Sequence, residues 1–269
     1  GRSCTFGSFG RICICLAVFC CKVWNKSVKS MEKRLPLILF FSIFAFLRAN
    51  LNPIFAQNLN QEQKIQILLW AEKEAFPGFV WNEEEKNLDL KKNENALPVN
   101  RLKKTAPFFV QGMLYGWKVE YTPYDKARGV KEYLNFKPVQ ELTQGELNSI
   151  QYKNPAFKDD RLYCRVEFDR SEFQQNLYKS WQTVKNPRIR GVGYGKLQDG
   201  FAGIEQACAE AIKNAIREYW RAQIKNKPKE IESRLLICCA PVIGVEAGRY
   251  RVMLDFFMET DRILNYEMF

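Results

Sequence analysis

Apolar and polar residues alternate along several short stretches of this chain, which is the spacing of a β-strand with one buried face. The first such stretch begins near Phe108 and reaches Tyr121. A turn at 122–125 and a return strand over 130–136, stopped by Pro138, would complete a hairpin. The buried face of the first strand would consist of Met113, Tyr115, Trp117, Val119 and Tyr121.

The last third of the chain has the most regular pattern. Apolar residues three or four positions apart predict a long helix over about 199–224, and Pro228 prevents its extension. The helix lies between alternating stretches, so the predicted order is β-α-β-β. Strands are predicted over 162–168, 189–194, 233–239 and 250–258.

Capping patterns mark two shorter helices. Thr143 with Glu146 three residues later is a capping box and predicts a helix over 143–151. Asp169 or Ser171 would cap a second helix, which Pro187 ends.

Two predictions concern the segment before the hairpin. Asn60 as a cap and apolar residues at helical spacing predict a helix that ends at Phe76-Pro77-Gly78. Residues 82–100 are rich in Glu, Lys and Asn and predict a solvated loop or linker. Together these patterns predict an α+β protein with antiparallel or mixed sheets and packed helices. Its parts are an N-terminal α+β region, 57–187, and a C-terminal β-α-β-β module, 188–269.

Residues 31–56 have the composition of a secretory signal peptide. Met31 is followed by three charged residues and then by a mainly apolar run of thirteen residues that ends at Leu47. A helix that spans a bilayer needs about twenty residues. We expect cleavage after Ala56, with Ala49 as a second site and a retained anchor as the alternative. Residues 1–30 are then an upstream or untranslated extension, and the protein is expected in the periplasm or cell envelope.

Removal of the predicted signal changes the charge. Eight of 41 basic residues and one of 30 acidic residues precede Gln57, so the formal net charge falls from +11 to +4. A nucleic-acid partner is therefore not predicted, and membrane contact is expected only through an uncleaved signal segment. Five of nine cysteines also precede Gln57. We expect the other four to be free thiols, although a disulfide stays open: Cys164, Cys208, Cys238 and Cys239.

The chain has no histidine, which excludes Ser-His-Asp and Cys-His catalysis and the usual histidine-containing zinc sites. The string Gly191-Val192-Gly193-Tyr194-Gly195 matches neither a dinucleotide fingerprint nor a Walker loop. It predicts either close packing of a strand on a helix or, alternatively, an anion cradle. No catalytic residue, cofactor or metal ligand is predicted.

Two aromatic residues, Tyr124 and Tyr133, fall outside the buried face of the hairpin and predict surface contact. The predicted binding surface comprises Gly193, Gly195, Lys196, Tyr124 and Tyr133. An alternative hypothesis is a histidine-free enzyme or small-ligand-binding protein with a site near 191–195. That site would gather Lys196 with Asp255 or Glu259.

The glycine string, followed by Ala207, Ala211 and Ala215, resembles the β-α-β-β module of small envelope lipoproteins and of a flagellar assembly protein. That resemblance covers 188–260 and implies a non-enzymatic assembly or scaffold role. The chain after residue 56 also resembles an uncharacterised family of exported spirochaete proteins, through Asn226-Lys227-Pro228-Lys229-Glu230 and the stretch from Leu254 to Arg262. No cysteine follows the predicted cleavage site, which departs from the lipoprotein pattern. We therefore predict a non-catalytic envelope protein that binds an envelope protein partner.

Overall fold

A computed structural model describes residues 62–75, 77–79, 83–86 and 95–266. These residues belong to one compact unit, Asn58–Phe269. The predicted signal peptide, the extension before it and the predicted helix cap Asn60 lie outside the described residues. Among the helices that are described, none is both long and apolar enough to cross a membrane.

Two antiparallel sheets and several helices form the unit, which confirms the α+β class. The strands are β1 Lys64–Glu72, β2 Trp117–Thr122, β3 Tyr133–Pro138, β4 Gln151–Lys158, β5 Arg161–Asp169, β6 Arg188–Lys196, β7 Glu230–Ile237, β8 Val242–Glu246 and β9 Arg249–Leu264. The helices are α1 Glu83–Lys86, α2 Ala96–Leu114, α3 Gln144–Ser149, α4 Glu172–Trp181 and α5 Phe201–Gln223, and a 3₁₀ turn, Leu197–Asp199, precedes α5.

The smaller sheet has the order β1-β5-β4, and the larger has the order β3-β2-β7-β9-β6, with β8 also paired to β9. The larger sheet thus takes β2 and β3 from the region 57–187 and its other strands from 188–269. Strand β9 is long enough to pair with β6 along one edge and with both β7 and β8 along the other.

The main core lies between the sheets and the two long helices. Helix α5 packs on β6 and β9, whereas α2 contacts β1, β5 and β7. Because side chains alternate across a strand, the opposite face of the larger sheet buries a second, smaller cluster under α4. It consists of Tyr178, Trp181 and Leu236.

The prediction of a first helix is wrong, because residues 64–72 form β1. Ile65, Ile67 and Leu69 are buried in a period of two and pair with β5. Apolar residues that alternate along a strand also include pairs four positions apart, which is the spacing of a helix face. Ile65 and Leu69 are such a pair, so they fit a helix equally well. Pairing with β5, a hundred residues along the chain, decides between them.

The predicted loop over 82–100 is wrong at 83–86 and 96–100, whereas 82 and 87–94 lie outside the described residues. The predicted start of a strand near Phe108 is also wrong. Residues 96–114 form α2, and residues 83–86 form the short helix α1. The apolar positions Leu102, Ala106, Phe109 and Met113 follow helical spacing and are buried. Gly116 has a φ of +74° and forms the turn that joins α2 to β2. The rest of the predicted strand is confirmed: Trp117, Val119 and Tyr121 are buried on one face.

Several elements agree with the patterns that predict them. The hairpin β2–β3 forms, and capping boxes at Thr143 and Ser171 begin α3 and α4. The order in 188–269 is β-α-β-β with the short strand β8 added before the last strand. Sequence reasoning missed β8, and it missed β4 because every residue of β4 is exposed and no alternation marks it.

The smaller sheet carries a carboxylate with a strongly lowered pKa. Glu167 Oε2 lies 2.7 Å from Lys153 Nζ and 2.8 Å from Lys64 Nζ. The hydrogen bond from Lys153, and then that from Lys64, lower the pKa of Glu167 to about 2, against an ordinary value of 4.5. Because the folded pKa is lowered, the contribution of Glu167 to stability is present above 4.5 and is lost as the pH falls towards about 2.

We therefore expect Glu167→Gln to reduce the dependence of stability on pH in that acidic window. The free energy of unfolding, measured in urea from neutral pH to the acidic end of the window, should fall less steeply than for the wild type. Asp169→Asn, at an exposed carboxylate 3.6 Å from Lys64, is the matched control. Equal slopes for Glu167→Gln and the wild type would contradict the prediction.

Candidate functional site

The glycines of β6 are buried against α5. A Cβ atom added to Gly191, Gly193 or Gly195 would lie 1.9, 2.1 or 1.8 Å from a backbone carbonyl oxygen of the helix, which is far inside contact distance. The string is therefore a packing surface, and the interpretation as close strand–helix approach is confirmed. Gly193 and Gly195 face the helix and do not form the exposed binding surface predicted for them.

Helix α5 also covers the outer edge of β6. Glu210 Oε2 accepts a hydrogen bond of 2.6 Å from the backbone N–H of Tyr194, and Asn214 Nδ2 donates to the carbonyl oxygen of Val192 at 2.8 Å. These side chains satisfy backbone groups that an edge strand would otherwise present to another chain. Strand addition at β6 is thereby disfavoured.

Lys196 and the carboxylates of β9 do not meet. Lys196 is exposed and pairs with Arg249, whereas Asp255 pairs with Arg190, six residues away along each strand. At the rise of a β-strand this separation is about 20 Å. The carboxylates are also engaged elsewhere: Arg188 and Arg190 bind Asp255, and Arg234 binds Glu259 at 3.0 Å. The alternative site near 191–195 is therefore not formed.

The two predicted surface aromatics have different environments. Both are about half exposed, at 53% for Tyr124 and 57% for Tyr133. Tyr133 lies on the edge strand β3, opposite Thr122. Tyr124 follows β2 and lines a pocket of about 550 Å³.

We call this cavity the α5 pocket, since it lies where α5 ends and the chain turns towards β7. Of the residues that line this pocket, the sequence predicted only Tyr124 as part of a binding surface. The pocket is lined by Tyr121, Pro123, Tyr124, Glu132, Arg217, Trp220, Arg221, Ile224, Lys225, Asn226, Lys227, Pro228 and Ile231.

The acidic residue of the α5 pocket is held by two neighbours. The hydroxyl of Tyr121 donates to Glu132 Oε1 at 2.9 Å, and Lys213 Nζ lies 3.1 Å from Glu132 Oε2. Partial burial opposes ionisation of Glu132, but the hydrogen bonds from Lys213 and Tyr121 outweigh it and lower the pKa of Glu132. Burial, and then the bond to Glu132, raise the pKa of Tyr121. Glu132 is thus an ionised group whose charge Lys213 balances.

The remaining charged residues of the pocket are all basic. Arg217 and Arg221 share Glu218, at 3.7 and 3.8 Å. Arg221 also complements the negative end of the α5 dipole, whereas Lys225 and Lys227 lie beyond the end of the helix. Lys227 Nζ donates to the carbonyl oxygen of Tyr124 at 2.9 Å, which links the two walls.

Trp220 adds an aromatic ring to this basic wall. Its Nε1–H is buried and donates to no atom of the described residues. The α5 pocket therefore combines aromatic walls with an excess of positive charge, which suits an anion with apolar parts.

The edge strand β4 of the smaller sheet is also poorly suited to binding. Every residue of β4 is exposed, but Pro155 removes a backbone donor and the register shifts between Lys153 and Ala156. Lysines at 153 and 158 add charge. Proline, a bulge and lysine are the devices by which sheet edges avoid pairing with other chains.

A protein-family model matches residues 51–266 of the chain. A similar protein is an uncharacterised protein of Treponema pallidum (strain Nichols), which is 27% identical over 205 residues, or 76% of this chain and 83% of that protein. The chain belongs to an uncharacterised family of spirochaete proteins. No solved structure matches it. The α5 pocket and the contact between β6 and α5 both lie within the span that the family model covers.

The sequence of this family member did not predict two further groups of side chains. Arg101, Glu72 and Glu85 form a buried charge cluster, to which the hydroxyl of Tyr250 adds a hydrogen bond of 2.7 Å to Glu72. Cys238 and Cys239 are neighbours at the end of β7. All four cysteines after residue 56 are free thiols, as expected. Among the described residues, no group of three or more Cys, Asp or Glu side chains is arranged to hold a metal ion.

Proposed function

We propose that this protein is a non-catalytic exported protein of the cell envelope, and that its α5 pocket binds an acidic segment of a partner protein. The observation that carries the proposal is the composition of the pocket. Its one carboxylate, Glu132, is balanced by Lys213, and four basic side chains remain around Trp220 and Tyr124.

The chemistry of the pocket favours a protein ligand. Tryptophan, tyrosine and arginine are the residues that contribute most to binding at protein interfaces. Arg221 and Lys225 are exposed at the rim and extend the basic surface beyond the cavity. A small-molecule ligand is ordinarily enclosed over most of its surface. A basic rim outside the cavity would instead contact the residues of a peptide on either side of the side chain that enters the pocket.

An acidic segment would meet two complementary features. Its carboxylates would lie near the basic side chains, and its apolar atoms would pack on Tyr124 and Trp220. Complementary charge at a rim mainly raises the association rate and is weakened by salt. Binding should accordingly weaken as the ionic strength rises.

Export is the second part of the proposal and rests on residues 31–56. N-terminal sequencing of the protein from fractionated native cells tests it directly. We expect the mature chain to begin at Gln57 in a soluble periplasmic fraction. An intact Met31 in the membrane fraction would contradict export with cleavage and would favour a retained anchor.

The absence of a catalytic role is supported by the sequence and by the pairing of carboxylates. The chain has no histidine, and Asp255 and Glu259 are bound to arginines. The alternative of a histidine-free enzyme or small-ligand site near 191–195 has no support from β6, where α5 occupies the space. The α5 pocket supports a partner-binding role instead.

The pocket is tested by photo-cross-linking in intact native cells. A photoreactive phenylalanine analogue at Tyr124 should give an adduct with one defined protein partner. The double variant Arg217→Gln, Lys227→Gln should reduce the yield of that adduct by about tenfold or more, since it removes two of the four cations of the pocket. Trp220→Phe, which keeps an aromatic ring but reduces its contact area, should reduce it by a smaller factor.

The matched control places the same analogue at Tyr133, which has nearly the same exposure but lies outside the pocket. It should give little or none of the adduct. Equal yields at the two positions, an adduct insensitive to the loss of Arg217 and Lys227, or recovery of monomer alone would each contradict the proposal.

A further inference from the structure

Two adjacent thiols lie at the end of β7, on the side of the larger sheet away from the α5 pocket. Cys238 is buried, and its backbone N–H donates to the carbonyl oxygen of Asp255 at 2.9 Å. The hydroxyl of Tyr178 in α4 donates to the carbonyl oxygen of Cys238 at 3.0 Å. Both contacts fix the backbone at this position. Cys239, the next residue, is partly exposed.

The sulfur of Cys239 accepts two hydrogen bonds. Arg188 Nη2 donates to it at 2.9 Å, and the thiol of Cys238 lies 3.9 Å away. Arg188 is itself held by Asp255, at 2.9 Å, and Arg190 binds the same carboxylate. Two arginines therefore surround one carboxylate, so the cluster has one more positive than negative charge beside the sulfur of Cys239.

The surrounding groups act on the two thiols in opposite directions. The hydrogen bond from Cys238, and then the positive charge of Arg188, lower the pKa of Cys239 against the effects of burial and of Asp255. The hydrogen bond to Cys239, and then burial, raise the pKa of Cys238. The other titratable groups that face the pair are Arg190 and Tyr178.

We propose that Cys239 is a thiol-modification site of this protein, a nucleophile that reacts with low-molecular-weight disulfides. The thiolate sulfur of Cys239 attacks one sulfur of the disulfide. A new S–S bond forms between Cys239 and that sulfur, the original S–S bond breaks, and the other sulfur leaves as a thiolate. The disulfide supplies the oxidising equivalents, so no further oxidant takes part.

Cys238 is badly placed to reverse this step by forming a disulfide with Cys239. Neighbouring Cα atoms lie about 3.8 Å apart across a trans peptide, below the about 4.4–6.8 Å that unstrained disulfides span. The thiol of Cys238 is also buried and protonated, and the thiolate is the form that attacks. The mixed disulfide at Cys239 should therefore persist.

The other described thiols provide internal references. Cys164 and Cys208 are buried, and burial is the first cause that raises the pKa of each. Neither has an arginine against its sulfur among the described contacts. The same reagent, applied to the same sample, should therefore distinguish Cys239 from both.

The test treats the purified full chain with glutathione disulfide at neutral pH and measures the occupancy of each cysteine by peptide mapping. We expect a mixed disulfide at Cys239 and almost none at Cys164 or Cys208. Arg188→Gln should slow the reaction about twofold for the first unit by which the pKa of Cys239 rises from about 7, since the thiolate fraction at neutral pH falls about fivefold while its nucleophilicity rises about threefold. Arg234→Gln, at another exposed arginine, should leave the rate unchanged.

A second measurement separates nucleophilicity from simple exposure. The rate of alkylation of Cys239 by iodoacetamide should follow a titration curve with its midpoint below about 8.5, the value of an ordinary thiol, and Arg188→Gln should move the midpoint upward. A midpoint at or above the ordinary value, modification of Cys164 as fast as of Cys239, or a disulfide between Cys238 and Cys239 in place of the adduct would overturn the proposal.

Discussion

Gly193→Ala should destabilise the protein by about 3 kcal/mol or more, and enough to prevent folding if the wild type is only marginally stable. The added Cβ would lie 2.1 Å from the carbonyl oxygen of Ala207 and 2.4 Å from the backbone nitrogen of Ala211. Both atoms belong to the backbone of α5, so no side-chain rotation relieves the overlap. Helix and strand would have to separate along a contact that the small residues Ala207, Ala211 and Ala215 keep close.

The free energy of unfolding in urea measures this effect, and Gly244→Ala is its matched control. Gly244 also lies in a strand, but a Cβ there would meet nothing within 4 Å. That variant should change stability by less than about 0.5 kcal/mol. Similar losses at the two positions would show that the cost does not come from the contact with α5, since backbone entropy by itself favours alanine over glycine.

The same contact sets the position of the α5 pocket. Arg217, Trp220 and Arg221 all lie near the end of α5, whose earlier turns pack on the glycines of β6. A helix displaced from β6 would carry these side chains away from Tyr124 and Glu132. If Gly193→Ala folds at all, we therefore expect it to lose the cross-link at Tyr124 as well.

Arg101→Met should cost about 3–5 kcal/mol of unfolding free energy, because it leaves buried carboxylates without their cation. Arg101 Nη1 lies 2.9 Å from Glu72 Oε2, and its Nε lies 3.6 Å from Glu85 Oε1. All three side chains are almost fully buried, at 3%, 5% and 2% exposure for Arg101, Glu72 and Glu85. Methionine fills much of the volume of the arginine stem. The decrease in unfolding free energy therefore comes mainly from the missing positive charge and only slightly from a cavity.

Arg234→Met provides the comparison for a surface ion pair. Arg234 lies 3.0 Å from Glu259 and 3.2 Å from Asp261, distances like those in the buried cluster, but its side chain is 41% exposed. Its replacement should cost at most about 1 kcal/mol. Urea unfolding of both variants would measure the difference, and a small cost for Arg101→Met would show that water or local rearrangement solvates Glu72 and Glu85.

Sequence reasoning succeeded where short-range chemistry determines the structure. The capping boxes at Thr143 and Ser171 depend on residues three positions apart, and both helices begin where those residues predict. Strands β5, β6, β7 and β9 alternate over enough positions to specify one buried face. The glycine string predicted either close packing of strand on helix or an anion cradle, and the contacts of these glycines with the backbone of α5 confirm the first.

Sequence reasoning failed where the apolar spacing fits both a helix and a strand, and where a segment has no apolar pattern. Residues 65–71 fit both a helix and a strand, and only pairing with β5 makes them β1. Arg101 interrupts the apolar face of α2 with a buried charge, and its partners Glu72 and Glu85 come from other elements. All residues of strand β4 are exposed, so its sequence shows no alternation of apolar and polar residues.

The sequence by itself determined the α+β class, the capped helices and the C-terminal succession of strand, helix and strands, and it favoured a packing role for the glycines in β6. These features depend on residues close together in the chain, whose spacing is visible directly. Only the tertiary structure decided that Tyr124 joins Trp220 and Glu132 in one pocket, that Lys196 stays apart from Asp255, and that Arg188 lies on Cys239. Each of these depends on the pairing of distant strands and on the position of α5, because long-range contacts bring such residues together and no local spacing records them.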